Sequence, residues 1–318
     1  MKLYSYFRSS ASFRVRIALA LKGQSYDYVS VHLAKGQQLQ DDFTAVNADA
    51  LVPVLEVDGL RLTQSMAIME YLDDKFPHPA LLPSDAAGKA RVRALSQSIA
   101  CEIHPLNNLR VLKYLTGTLK LDEDTKNTWY HHWVRMGLEA FEKQLQDDFT
   151  AVNADALVPV LEVDGLRLTQ SMAIMEYLDD KFPQPALLPS DAAGKHRVRA
   201  LSQSIACEIH PLNNLRVLKY LTGILKLDED TKNTWYHYWV RSGLEAFEKQ
   251  LHHPATGRFC HGDQPSMADC VLVPQLFNAN RFKVDLSGLD RTLQSFEACM
   301  ALPSFQAAQP SACPDFEA

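Results

Sequence analysis

The sequence predicts an α/β domain with element order β-α-β-α-β-β-α, followed by an all-helical domain. Three observations carry this. The first thirty or so residues read strand, helix, strand, which is a βαβ unit and implies parallel pairing. LVPVLEVDGLRLTQS is a hairpin turning at Asp58-Gly59. Beyond Phe76-Pro77-His78-Pro79 the apolar spacing is helical to the end.

Taken in order, Lys2 to Phe7 alternates around Leu3, Tyr4 and Tyr6 as a strand. SSASFRVRIALALKG is a helix with apolar Phe13, Ile17, Ala20 and Leu21, stopped by Gly23. Tyr26 to Leu33 is the second strand, and Leu39 to Val46 a short helix. After the hairpin, a helix runs from Ser65 to about Lys75, and the proline-rich run that ends it is a linker. Ser84 caps the next helix from Asp85, and Pro105 bends or breaks it. Asp122 to about Leu145 is a long helix carrying Trp129, Trp133 and Phe141. Ser266-Met267-Ala268-Asp269 is a capping box with Asp in place of Glu. AAQPSACPDFEA reads as a mobile tail.

The middle of the chain occurs twice. Asp41 recurs as Asp147, an offset of 147 − 41 = 106 residues. Gln38–Leu145 matches Gln144–Leu251 except at His78/Gln184, Ala90/His196, Thr118/Ile224, His132/Tyr238 and Met136/Ser242. Solenoid repeats are shorter and diverge further, so this is an internal duplication. Without one copy the chain would have 318 − 106 = 212 residues, an ordinary two-domain length. The expected division is residues 1–83 (α/β), 84–145 (first helical copy), 146–189 (partial second copy of the α/β half) and 190–318 (helical). Local contacts form fastest, so the βαβ unit is expected to take the first hairpin, and the same argument favours the tail with the second helical copy, with either His104 or His210 as the partner of Arg281. The spare hairpin then lacks a neighbour for Leu157, Val158, Val160 and Leu161.

Composition bounds the function. A net charge of −6 with mixed signs excludes a nucleic-acid surface. Cys101, Cys207, Cys260, Cys270, Cys299 and Cys313 form no close pair, which suggests neither a metal site nor a disulfide framework. MKLYSYFRSS has no signal-like apolar run and nothing later is long enough to span a membrane, so a cytoplasmic protein is expected.

The element order, the start Ser9-Ser10-Ala11-Ser12-Phe13-Arg14-Val15-Arg16-Ile17-Ala18-Leu19, Val52-Pro53 and Gln64-Ser65 together resemble the glutathione transferase superfamily, and within it the zeta class of maleylacetoacetate and maleylpyruvate isomerases. The resemblance implies a thioredoxin-like N-terminal domain, an all-α glutathione-transferase C-terminal domain, glutathione as cofactor and a homodimer. It implies thiolate addition to a maleyl double bond, rotation and elimination to the fumaryl isomer. A general transferase acting on small electrophiles, or a glutathione-binding protein inactivated by the duplication, are the alternatives. The arginines below discriminate, since only a dicarboxylate needs them.

Ser9, Ser10, Ser12 and Arg14 are the expected catalytic residues. Serines here could simply cap the helix. Holding a sulfur as thiolate is the other reading. Lowering a thiol pKa from about 8.5 by two units takes roughly 2.7 kcal/mol. A helix terminus supplies at most about 2 kcal/mol and a hydrogen bond to the charged sulfur roughly 1.5–3 kcal/mol. Together they suffice. Ala11 stands where many zeta members have cysteine, so chemistry through that thiol is excluded. Proline in Val52-Pro53 would otherwise mark an edge strand. By resemblance the bond is cis and Val52 meets the cysteinyl backbone, Gln64 and Ser65 hold the γ-glutamyl end, and Gln38 reaches the glycyl end. His104, Asn108 and Arg110 are cofactor-side candidates, although a histidine before a helix-breaking proline such as Pro105 is more often structural than catalytic. Arg110 and Arg281 are the candidates for substrate carboxylates, with a plain surface arginine as the other reading of Arg281. The second-copy equivalents are Val158, Gln170, Ser171, His210, Asn214 and Arg216. With one βαβ unit, one complete site per chain is expected.

Overall fold

The structure is a computed structural model that describes residues 1–145 and 157–315. The repeat of the short Leu39–Val46 helix and the last three residues of the tail fall outside them. The chain divides into two compact units. One comprises Met1–Pro79, Leu188–Ile205 and Glu229–Ala318, the other Ala80–Leu187 and Ala206–Asp228.

In the first unit, β1 (Lys2–Ser5), α1 (Ser10–Leu21) and β2 (Asp27–Ser30) form the expected βαβ, with β1 parallel to β2. Gly23, at φ +64°, follows α1. A short α2 (Asp41–Thr44) leads to β3 (Val54–Val57) and β4 (Leu60–Thr63). The sheet order is β2-β1-β3-β4, with β3 antiparallel to both neighbours. Asp58 and Gly59 both have positive φ, the I′ turn that matches strand twist. Tyr6, Val31, Phe43, Val52 and Val54 pack as one apolar cluster beneath this sheet. α3 (Ser65–Lys75) packs on α1, where the buried Lys22 ammonium meets Asp73 at 2.5 Å.

The second unit begins with α4 (Ala86–Gln97). Its cap is Asp85, not Ser84, because Asp85 Oδ1 reaches the Gly88 amide at 2.7 Å. Before Pro105 the helix widens into a π-turn over Ser98–Ile103 and tightens to a 3₁₀ turn over Pro105–Asn107. α5 (Leu109–Gly117) and α6 (Glu123–Leu145) follow. Trp129 of α6 is fully buried and donates its indole N–H to the Leu106 carbonyl at 2.8 Å.

The second hairpin, β5 (Val160–Val163) and β6 (Leu166–Thr169), forms a separate two-stranded sheet followed by α7 (Ser171–Lys181). α7 docks on α4, where the buried Arg93 meets Glu176 at 3.1 Å and Asp180 at 3.5 Å.

α8 (Ala192–Ala206) makes the equivalent contact in the first unit. Its Arg199 meets Glu70 at 3.3 Å and Asp74 at 3.6 Å on α3. Each helical segment thus docks on the hairpin helix of the other repeat. α9 (His210–Asn213), α10 (Leu215–Gly223) and α11 (Glu229–Leu251) complete the second repeat. α12 (Met267–Arg281) opens with the expected capping box and is followed by α13 (Asp290–Met300). The tail differs from expectation: α14 (Pro303–Ala307) and a 3₁₀ turn at Pro310–Ala312 order part of it.

The cysteine expectation is also corrected. Cys101 and Cys207 are disulfide-bonded, with Cα atoms 4.2 Å apart. Spacing could not reveal the pair, because equivalent residues of the two repeats are brought together by the fold. Among the described residues no helix is long and apolar enough to cross a membrane, and no cluster of ligands could hold a metal ion.

Candidate active site

Nine of the predicted residues lie in the Met1–Pro79 segment of the first unit, six of them at the starts of α1 and α3. Ser9 is the N-cap of α1, its Oγ accepting from the Ser12 amide at 3.1 Å. Ser10 is exposed at the first helical position. Ser12 is fully buried and its hydroxyl has no hydrogen-bond partner. Ser9 and Ser10 are therefore the hydroxyls that a ligand can reach. Arg14 donates from Nη1 to Ser65 Oγ at 3.1 Å, tying the two helix starts together.

Val52-Pro53 is cis. Val52 precedes the register in which β3 pairs with β1 and β4, so its N–H and C=O are outside the ladder. Proline is therefore not marking an edge strand, since β3 is internal. Gln64, the residue before α3, has φ +62° and ψ 111°. A non-glycine residue held there carries strain on the order of 1–3 kcal/mol, a feature that concentrates at ligand sites. Gln38 sits in a 3₁₀ turn with its side-chain oxygen buried and unbonded.

The second repeat reproduces this backbone but not its setting. Val158-Pro159 is also cis, and Gln170 has φ 66° and ψ 110°. Val158, however, is 92% exposed where Val52 is 7% exposed, and Ser171 is exposed where Ser65 is buried.

His104, Asn108 and Arg110 lie in the second unit together with His210, Asn214 and Arg216. Asn108 and Asn214 cap α5 and α10 through their side chains. Arg110 Nη2 is held by the Glu208 carboxylate at 2.6 Å and its carbonyl at 3.0 Å. Arg216 is held in the same way by Glu102 at 2.5 and 3.1 Å. Both guanidinium groups are thus engaged within the protein. Burial, with the charge of Arg216 second, pushes the His210 pKa down.

Arg281 is in the first unit, exposed at the end of α12, its guanidinium 5.7 Å from the Phe282 ring. Phe282 stacks on buried Tyr236 at 4.0 Å. Burial raises the Tyr236 hydroxyl to about 12, with Arg281 pulling the other way, so the hydroxyl stays protonated. No carboxylate pairs with Arg281 among the described residues. The protein's own thiols near buried Asp269 are held protonated: burial pushes Cys260 well up and Cys270 to about 11, with the Asp269 charge adding to both.

Sequence reasoning passed over His196, where the other copy has Ala90. It is buried on α8, its Nε2 3.1 Å from the Thr63 carbonyl at the end of β4. Burial lowers its pKa to about 4. Its signal was its place among the five differences between the copies. A cleft of about 690 Å³ opens beside β4, lined by Asn47, Arg61, Thr63, His196, Arg197 and His253 among others. None of the predicted glutathione residues lines it.

With this geometry in view, the comparisons decide the family. The glutathione S-transferase N-terminal domain family matches residues 1–74 and 121–180, and the C-terminal domain family matches residues 240–305. A maleylpyruvate isomerase from Ralstonia is 32% identical over 315 residues, covering 99% of both chains. The chain belongs to the glutathione S-transferase family. A maleylacetoacetate isomerase from Rhizobium meliloti is 45% identical over 160 residues, 50% of this chain and 75% of that protein. A solved zeta-class maleylpyruvate isomerase is 31% identical over all of both chains, with a TM-score of 0.41.

Proposed function

We propose that the chain is a glutathione-dependent cis–trans isomerase, converting maleylacetoacetate or maleylpyruvate to its fumaryl isomer in aromatic catabolism. The observation that carries the reading is the pair of helix starts bridged by Arg14 and Ser65, in the unit that also holds the cis Val52-Pro53 bond and Arg281. The residues fit glutathione. A peptide backbone finds the N–H and C=O of Val52 free of the sheet, and an α-carboxylate finds the start of α3. Gln38 faces the glycyl end, and Gln64 and Ser65 hold the γ-glutamyl end.

When bound, glutathione supplies the thiolate that adds to the cis double bond and departs after rotation. The chain's own residues do the rest. The Ser9 cap and the α1 amides stabilise negative charge at the helix start, and the Ser10 hydroxyl lies beside them. Arg14 adds a positive charge and fixes Ser65. Arg281 offers two parallel N–H donors to a substrate carboxylate, which a simple hydrophobic electrophile would not use.

Residues 1–83 form the glutathione-binding domain and residues 190–318 the substrate domain in this reading. Residues 84–189, the product of an internal duplication, contribute no second complete site. A cytoplasmic location belongs to the same proposal, as does a contact of the family's homodimeric kind, which the two repeats of one chain can supply between themselves. The test is the purified full-length chain with maleylpyruvate and maleylacetoacetate, each with and without glutathione. Turnover that needs glutathione and falls at least about tenfold in Arg281→Ala supports it, because such a pair in the transition state is worth more than roughly 1.4 kcal/mol. Turnover indifferent to glutathione overturns it.

A further inference from the structure

Three contacts in the second unit repeat at the offset that separates the sequence copies. Arg110 of the first copy binds Glu208 of the second, and Arg216 of the second binds Glu102 of the first. Cys101 meets its own equivalent, Cys207, at a sequence separation of 106. Between them α9 packs on the Pro105–Asn107 turn, both carrying the same Pro-Leu-Asn from the two copies, with Leu106 and Leu212 fully buried. Residue i touches j and the equivalent of j touches the equivalent of i. That is the signature of an isologous two-fold interface, in which one patch is complementary to itself. The patch earns self-complementarity by carrying both an acid and, eight positions on, a base.

We infer that this surface is a subunit interface closed inside one chain: the second repeat occupies on the first the place that a second copy of the protein would take. The inference rests on the family membership and not on the isomerase reading. An isologous patch has one partner and is saturated by it. The full chain is therefore a monomer with respect to this face, while a chain with a single repeat would have to find another molecule.

Light scattering on the full-length chain is expected to give 35.8 kDa. The disulfide reports who the partner is. Starting from reduced protein, oxidised glutathione takes up the two protons and two electrons released as the Cys101 and Cys207 thiols join, becoming two glutathione thiols. Non-reducing electrophoresis with peptide mapping is expected to show the Cys101–Cys207 link within single chains. A link joining two chains, no link at all, or a species of about twice the mass that survives dilution overturns the inference.

Placing like charges opposite one another in Glu102→Arg with Glu208→Arg should slow linkage at least about tenfold, and adding Arg110→Glu with Arg216→Glu should restore it. An unchanged rate in the first variant also overturns the inference. Should that variant fail to fold, the mass and the linkage of the unaltered chain decide.

Discussion

Ser9 does two things at once, because the atom that accepts from the Ser12 amide also stands where the α1 dipole ends. Its neighbours separate by exposure: Ser10 faces solvent, whereas Ser12 is fully buried. Ser9→Ala with Ser10→Ala should raise the pKa of the bound thiol by about one to two units, the equivalent of losing one charged hydrogen bond. Thiolate ultraviolet absorbance against pH measures it, and turnover near neutrality should fall about 10- to 100-fold. Ser12→Ala should leave both unchanged. Equal losses from Ser12→Ala would reverse the assignment, and undiminished turnover in the triple alanine variant would end the mechanism. His196 makes a residue-scale prediction about stability. Burial holds its folded pKa at about 4, below the ordinary 6.5. Between those values the unfolded chain binds a proton that the folded chain does not. Stability is then lost as pH falls from 6.5 towards 4, by up to roughly 1.4 kcal/mol per pH unit. His132, His210, His253 and His261 are shifted downward too and add to the slope. The comparison with His196→Gln, which keeps a donor for Thr63, isolates its share. Urea midpoints at about pH 7.5 and about pH 5 should differ less in the variant.

The two hairpins form the sharpest contrast between elements, since identical sequences meet different neighbours. Leu55, on β3 between β1 and β4, is fully buried, while Leu161, its equivalent, is only partly buried. Leu55→Ala should destabilise by about 3–5 kcal/mol through lost transfer and a cavity, and Leu161→Ala by about 1 kcal/mol or less. Denaturant midpoints compare them, and equal effects would mean that the βαβ unit does not select the first hairpin. Much of this scale was legible in the sequence. Asp58-Gly59 can only turn one way well, Gly23 stops α1, and Ser266 with Asp269 closes a box. What escaped was competition between equals: Ser84 and Asp85 both cap, and the one whose oxygen reaches Gly88 wins. The π-turn at Ser98–Ile103 and the Cys101–Cys207 bond escaped for another reason. They arise from packing between residues far apart in sequence, on which local periodicity is silent. Arg110 looked like a carboxylate binder and is one, but the carboxylate belongs to Glu208.

For the whole molecule the question is how many glutathione molecules one chain holds. Local geometry alone would answer two: both repeats keep the cis bond, and Gln64 and Gln170 differ by only 4° in φ (62° and 66°). The answer turns on what that geometry faces. Ser65 is buried and takes a hydrogen bond from Arg14 on α1, whereas Ser171 is exposed and Val158 stands 92% in solvent. A ligand on the second repeat therefore forgoes the charged hydrogen bond and helix terminus that would hold its sulfur in the proposed site. That loss of roughly 2.7 kcal/mol is about a hundredfold in affinity. Calorimetric titration of the full-length chain with glutathione should give one equivalent, unchanged in Gln170→Ala and weakened at least about tenfold in Gln64→Ala, whose side chain the proposed function assigns to the γ-glutamyl end. Two equivalents of like affinity would require the spare hairpin to have found a βαβ partner. The only one among the described residues is already paired in β2-β1-β3-β4, so a second equivalent would have to come from exchange between molecules, and its appearance should then depend on protein concentration.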